Sequence, residues 1–228
     1  MQPTAALGRF IALEGPDGAG KSLQAAHLAD ALRASGHVVM QTREPGGTAL
    51  GERIRDVLLA TGDAQRTPES DALLFNAARS QLVHEVIRPA LERGEIVICD
   101  RFAGSTLAYQ GYGSRLDLAE LRRLEALATG GLRPDLVILL DVPVEVGLAR
   151  RARGAAGELT RFETSPRHDA AFHERVRAGY LKLAAADPGR WHIIDAAGDA
   201  GAVTDQIVRS ARELLERSEP YAALLRTD

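Results

Sequence analysis

The chain has 228 residues, 45% of them hydrophobic and 26% charged, with a formal net charge of −3. That length and apolar fraction suffice for a sizeable core and exclude wholesale disorder, and the lack of a basic excess excludes duplex nucleic acid as a partner. Of the 28 basic residues only Lys21 and Lys182 are lysines, which leaves 26 arginines. The first apolar run, Phe10 to Glu14, predicts a buried strand, and a glycine-rich loop follows it at once. Lys21 to Ser35 predicts a helix stopped by Gly36. His37 to Thr42 predicts a second strand, ending at Glu44-Pro45-Gly46-Gly47. Thr48 suits the N-cap of a helix running to about Ala60. Pro68 opens another helix, expected to reach Arg93 with an interruption at Pro89. Ile96 to Cys99 predicts strand three, with Asp100-Arg101 at its carboxyl end. Leu116 to Ala128 predicts a helix, Asp135 to Asp141 strand four, and Val144 to Arg153 a short helix. Gly154 to Thr160 has no apolar period and is expected to be a mobile loop. Ala170 to Ala186 is helical in pattern, Trp191 to Asp195 is strand five, and Ala200 to Arg217 closes the chain.

Five apolar strands alternating with helices predict an α/β fold, a five-stranded parallel sheet with helices on both faces. No linker or composition shift divides residues 1–228, so one domain is expected, with a lid at about 150–164. In open α/β sheets ligands bind beyond the carboxyl ends of the strands. The clusters after strands one, two and three should therefore converge on one edge. Cys99, the only cysteine, lies in an apolar run and is expected to be a small buried hydrophobe. Met1 to Leu7 is too short and uncharged for a signal peptide, and no apolar run approaches the ~20 residues of a membrane span. The expectation is a cytoplasmic protein without a membrane partner.

Gly15-Pro16-Asp17-Gly18-Ala19-Gly20-Lys21-Ser22 fits G-x-x-x-x-G-K-[ST], between a strand and a helix. In such a loop backbone N–H groups turn toward phosphate oxygens, the lysine reaches the β- and γ-phosphates, and the serine hydroxyl binds Mg²⁺. A GTPase should also carry Asn-Lys-x-Asp, and neither lysine is preceded by Asn. A motor-type ATPase needs a strand-terminal acid, and both Asp100 and Asp141 qualify, so that test leaves it open. Asp100 is followed directly by Arg101, and an acid–arginine pair suits holding a second phosphate better than activating water. A chain of this size is therefore expected to be a small-molecule kinase.

Five segments occur in order along the chain: Glu14-Gly-Pro-Asp17, Thr42-Arg-Glu-Pro-Gly-Gly-Thr48, Asp100-Arg101-Phe102, Ser105-Thr-Leu-Ala-Tyr-Gln-Gly111 and Arg133 to Val142. With them the sequence, from about residue 8 to about 215, resembles the bacterial thymidylate kinase family, which belongs to the P-loop nucleoside monophosphate kinases. The resemblance implies ATP-dependent phosphorylation of dTMP to dTDP with Mg²⁺, in a homodimer. It implies that Arg101 clamps the acceptor phosphate, that Asp17 faces the acceptor's sugar and phosphate, and that Asp100 joins Ser22 at the metal. It implies that Phe75 stacks on thymine while Arg79, Thr106 and Gln110 face its edge. Tyr109 would press on the sugar, and Ser105, Glu44 and Pro45 would help line the pocket. Some relatives carry a catalytic arginine in the P-loop, where this chain has Gly18. The catalytic arginine is then expected from the lid, Arg153 first and Arg151 and Arg161 next. The stretch Thr164 to Arg175 departs from the family pattern. Arg190 and Asp195-Ala196 are candidates for the adenine pocket. The alternatives are a related kinase for another nucleotide or nucleoside and, outside enzymes, a P-loop module that binds nucleotide without turnover.

Overall fold

The computed structural model describes residues 8–60, 66–154 and 168–216. Five strands, β1 (Arg9–Glu14), β2 (Val39–Arg43), β3 (Ile96–Asp100), β4 (Leu136–Asp141) and β5 (Trp191–Asp195), form one sheet in the order β2-β3-β1-β4-β5. Every pairing is parallel. Parallel neighbours need crossovers, and helices supply them, so the central strands are buried on both faces and carry continuous apolar runs. All six residues of β1 are buried.

The two-residue period of a strand divides these side chains between two cores. Ile11 and Leu13 of β1, Ile96 and Ile98 of β3 and Leu136, Ile138 and Leu140 of β4 meet α1 (Lys21–Ala34) and the closing helix. Phe10, Ala12, Val97 and Cys99 face the opposite side, under a helical segment from Pro68 to Glu92. The strand ends inherit this alternation. Glu14 falls on the face of Phe10 and Ala12, Asp100 on the face of Ile98, and Asp141 on the face of Leu139.

Thr48 and Thr67 cap α2 (Ala49–Leu59) and α3 (Pro68–Leu82), each accepting a backbone N–H at N3. The helix expected to reach Arg93 is divided. A π-helical turn, Val83–Ile87, separates α3 from α4 (Arg88–Glu92). Pro89 can neither donate to Glu85 nor fit its ring beneath that carbonyl, so the wide turn comes just ahead of it. After β3 the chain forms α5 (Ala103–Thr106) and a π-helical stretch, Leu107–Gly113, where the sequence pattern indicated no element. There follow α6 (Leu118–Thr129), α7 (Val144–Gly154), α8 (Ala170–Ala186) and α9 (Ala200–Leu215). The remaining elements match their expected ranges to within two residues.

Candidate active site

The strand order brings β2, β3 and β1 side by side, so the loops after them share one edge, as expected. Gly20 stands at the N-cap of α1 with no side-chain cap, which leaves the first N–H groups of α1 open to an anion. Gly18 has φ +73°, and a Cβ there would lie 2.0 Å from the carbonyl oxygen of Gly147. In turn a Cβ on Gly147 would lie 2.4 Å from the carbonyl oxygen of Asp17. The P-loop and the first turn of α7 thus meet backbone to backbone, and a side chain at position 18 would require them to part.

Lys21 folds over the loop, its Nζ donating to the Pro16 carbonyl at 2.8 Å. Burial lowers its pKa to about 8, the nearby Arg101 adding to the effect and Asp17 opposing it. The Ser22 hydroxyl donates to Asp100 Oδ2 at 2.5 Å, while Asp100 Oδ1 is buried without a hydrogen-bond partner. Asp141 differs. It faces α8 and accepts both arms of the Arg177 guanidinium at 2.8 Å. Of the two strand-terminal acids only Asp100 has an oxygen left for a cation, and it shares the α1 side of the sheet with Ser22. A hydroxyl and one carboxylate suit Mg²⁺, which keeps most of its waters and takes other ligands from substrate phosphate.

Arg101 adopts φ 70°, a left-handed conformation that costs a non-glycine residue about 1–3 kcal/mol. Its neighbours keep it there. Nη2 donates to Asp17 Oδ1 at 2.5 Å, and Nη1 to Gly15 O, Ser105 Oγ and Tyr180 OH at 3.1–3.3 Å. The guanidinium lies 5.2 Å from the ring centre of Tyr109. Arg101 therefore pairs with Asp17 across the P-loop mouth and not with the adjacent Asp100. Despite the cost of burial, Arg101 and Lys21 hold the Asp17 carboxyl below its usual range.

Beyond Arg101 lies a second group of polar residues. Arg79, 1% exposed, binds Glu44 through Nε and Nη2 at 2.7–3.1 Å, Asn76 through Nη1, and Phe102 O and Thr106 Oγ1 through Nη2. Among the described residues Nη1 makes one of its two possible bonds. Burial pushes the Glu44 carboxyl up to about 7 against the pull of Arg79. Thr106 is buried against this pair, Gln110 is buried one turn further along, and Phe75, one helical turn before Arg79, is half-buried. Arg55 was not anticipated. It reaches from α2 to the Pro45 carbonyl at 2.9 Å and lies within the field of Asp100. No spacing rule marks an arginine ten residues beyond a loop proline.

The remaining candidates come from β5 and α7. Arg190 precedes β5, at the amino end of the sheet, and lines a cavity of about 280 Å³ behind Phe102. That is the opposite end of the strand from the P-loop edge, so the fold does not bring Arg190 to the nucleotide side. Arg150 ties α7 to the loop after β5, donating to the Ala196 and Ala197 carbonyls at 2.6 Å. Asp195 accepts from the Ala197 N–H within that loop. The Arg151 charge acts on Asp17, Arg153 is exposed, and Arg161 lies outside the described residues.

An arginine held against Asp17 at the P-loop mouth, with a buried polar pocket beyond it, suits a P-loop kinase of small acceptors better than a nucleotide hydrolase. Comparison with known proteins narrows that class. The thymidylate kinase family profile matches residues 13–207. A thymidylate kinase of Thermomicrobium roseum is 55% identical over 208 residues, covering 91% of this chain and 96% of that one. One from Pseudomonas fluorescens is 52% identical over 211 residues, covering 92% and 98%. The crystal structure of the Ehrlichia chaffeensis thymidylate kinase superimposes with a TM-score of 0.71 at 32% identity, over 90% of this chain and 98% of that one. The chain belongs to the thymidylate kinase family.

Proposed function

We propose the following division of labour for the phosphorylation of dTMP to dTDP with ATP as donor, the reaction of a chain in this family. The dTMP phosphate oxygen is already anionic, so no strong base is needed and catalysis is positioning and charge neutralisation. The observation that carries the reading is the placement of Arg101 beside Asp17 and Lys21 at one mouth. The backbone from Gly15 through Pro16, Asp17, Gly18, Ala19 and Gly20 cradles the ATP phosphates, Lys21 leaving Pro16 O to bridge β and γ. Arg101 and Arg55 hold the dTMP phosphate in line. Asp17 fixes Arg101 and faces the acceptor's sugar and phosphate.

Ser22 and Asp100 are the residues that would hold Mg²⁺, which when bound neutralises charge on the β- and γ-phosphates. Phe75 stacks on thymine, Arg79 meets a base carbonyl, and Thr106 and Gln110 border the same edge. Tyr109 covers the sugar, and Ser105, Glu44 and Pro45 complete the wall. A lid led by α7 closes over ATP within a single domain, excluding water as a competing acceptor. Arg151, whose charge reaches Asp17, is its first catalytic candidate, followed by Arg153 and Arg161.

A homodimer is proposed through α2 and α3. Leu50 and Val57, seven residues apart on one face of α2, are about half exposed, as is Leu73 of α3. A cytoplasmic location is also proposed. No helix among the described residues is long and apolar enough to cross a membrane, and the single cysteine, Cys99, is buried. A coupled ADP-release assay over nucleoside monophosphates tests the acceptor assignment. Turnover with dTMP should exceed that with dUMP, dCMP or AMP, and equal turnover of dCMP would sink the thymine site.

A further inference from the structure

Glu14, the last residue of β1, is 1% exposed, and no metal, phosphate or base role falls to it. The strand period turns it toward the 102–113 segment and α8, where its carboxylate meets four donors. Oε1 accepts the backbone N–H groups of Phe102 and Ser105 at 2.9 and 3.0 Å. It thus caps α5, whose own N-cap residue, Phe102, has no side chain able to do so. Oε2 accepts the Ser105 hydroxyl at 2.6 Å and the Tyr180 hydroxyl at 3.1 Å. The fit is tight on the other side as well, since a Cβ on Gly104 would lie 2.8 Å from Oε1.

A carboxylate only accepts. The Ser105 proton therefore points inward to Glu14, and the Tyr180 proton goes to Glu14 or to Ser105 Oγ, 2.8 Å away, so both hydroxyl oxygens keep lone pairs for Arg101. Each of those oxygens accepts from Arg101 Nη1, Ser105 Oγ at 3.1 Å and Tyr180 OH at 3.3 Å. We propose that Glu14 and Tyr180 are positioning residues for the acceptor-phosphate arginine, with the Glu14 carboxylate setting the polarity of the two hydroxyls that hold Arg101. The inference rests on the assignment of Arg101 to the dTMP phosphate.

An amide cannot replace this carboxylate. In a Glu14→Gln protein the NH₂ group must face either the two backbone N–H groups or the two hydroxyls. The first opposes donor to donor. The second makes the hydroxyls accept from the amide and turns their protons on Arg101. Tyr180→Phe removes one hydroxyl and keeps the ring that fills the core.

The test is steady-state kinetics of Tyr180→Phe, Glu14→Gln, Arg101→Lys and the Tyr180→Phe/Arg101→Lys double variant, with thermal unfolding of each. Tyr180→Phe should raise the KM for dTMP about fivefold, leave the KM for ATP within about twofold, and keep the melting temperature within a few degrees. Glu14→Gln should raise the dTMP KM further. In the Arg101→Lys background Tyr180→Phe should add less than about twofold. A dTMP KM unchanged by Tyr180→Phe, equal changes for both substrates, or a full effect in the Arg101→Lys background would each overturn the positioning role alone. A dTMP KM that Arg101→Lys leaves unchanged would instead remove the assignment of Arg101.

Discussion

Arg101 and Asp17, 84 residues apart in sequence, face each other at 2.5 Å across the mouth of the P-loop. Both side chains are about one-fifth exposed, so the pair borders the cleft instead of lying inside the core. Arg101 holds this place in a left-handed backbone conformation, with five hydrogen-bond partners around its guanidinium. Removing Asp17 frees Arg101 to swing. Asp17→Asn is expected to lower kcat at least about tenfold while the KM for ATP changes little, as measured by ADP release. Loss of ATP binding with kcat intact would contradict the placement of Asp17 on the acceptor side.

The metal assignment turns on which of two strand-terminal aspartates has an oxygen to spare. Chelation of divalent cations should abolish turnover. Asp100→Asn should raise the Mg²⁺ concentration for half-maximal activity about tenfold or more, since Asp100 holds Ser22 through Oδ2 and keeps Oδ1 unpaired. Asp141→Asn, whose partner is Arg177, should leave the Mg²⁺ dependence unchanged while lowering stability. Titrations of activity against Mg²⁺ decide it, and a shift for Asp141 alone would reverse the assignment.

The lowered pKa of Lys21 gives the free enzyme a pH limit. Below about 8 the ammonium is charged and can neutralise phosphate, and above it the free enzyme loses that charge. Hence kcat/KM for ATP should fall as pH rises past about 8. Bound phosphates favour the ammonium, so kcat should hold to higher pH, because it reports the complex. Stability runs the other way. The lysine's folded value lies below its ordinary 10.5, so its burial penalty is full below pH 8 and eases as pH rises toward 10.5. A kcat/KM profile flat to pH 10 would contradict the buried environment of Lys21.

Much of this arrangement was legible in the sequence for local reasons. The P-loop is a contiguous motif between a strand and a helix, and the cap Thr48 sits beside the helix it serves. The alternation along β1, β3 and β4 even assigns Glu14, Asp100 and Asp141 to their faces. What escaped depends on residues distant in the chain. Glu14 meets Tyr180 across 166 positions, and Arg101 acquires its φ from partners in three separate segments. The π-helical turns at Val83–Ile87 and Leu107–Gly113 also left no periodic signature, since an inserted residue breaks the 3.6-residue pattern by which helices are recognised. Arg190 illustrates the opposite error, because proximity to a strand in sequence did not say which end of the sheet it would occupy.

The backbone contact between Gly18 and Gly147 predicts that neither position accepts a side chain. Gly18→Ala adds a Cβ at 2.0 Å from a carbonyl oxygen on a backbone with positive φ. It should cost about 1–3 kcal/mol or more, several degrees in melting temperature for a chain of this size. Gly18→Arg should lose activity rather than gain a second catalytic arginine. Calorimetry and ADP release check both, and a fully active, equally stable Gly18→Arg protein would refute the close approach.

Phe75 tests the base pocket with little risk to the fold, because it is half-buried while Arg79 is fully enclosed. Phe75→Ala should raise the KM for dTMP about tenfold, the scale of a lost base stack, with the KM for ATP unchanged. An equal rise in both constants would mark Phe75 as a packing residue.

The central claim is that the P-loop and Arg101 bring a donor and a phosphorylated acceptor together. The most direct measurement follows label from ATP carrying a radioactive γ-phosphate, in the presence of dTMP and Mg²⁺. The label should appear in dTDP in the wild-type protein and be lost with Lys21→Ala. Label released as inorganic phosphate at a rate indifferent to dTMP would show a nucleotide hydrolase and contradict the account.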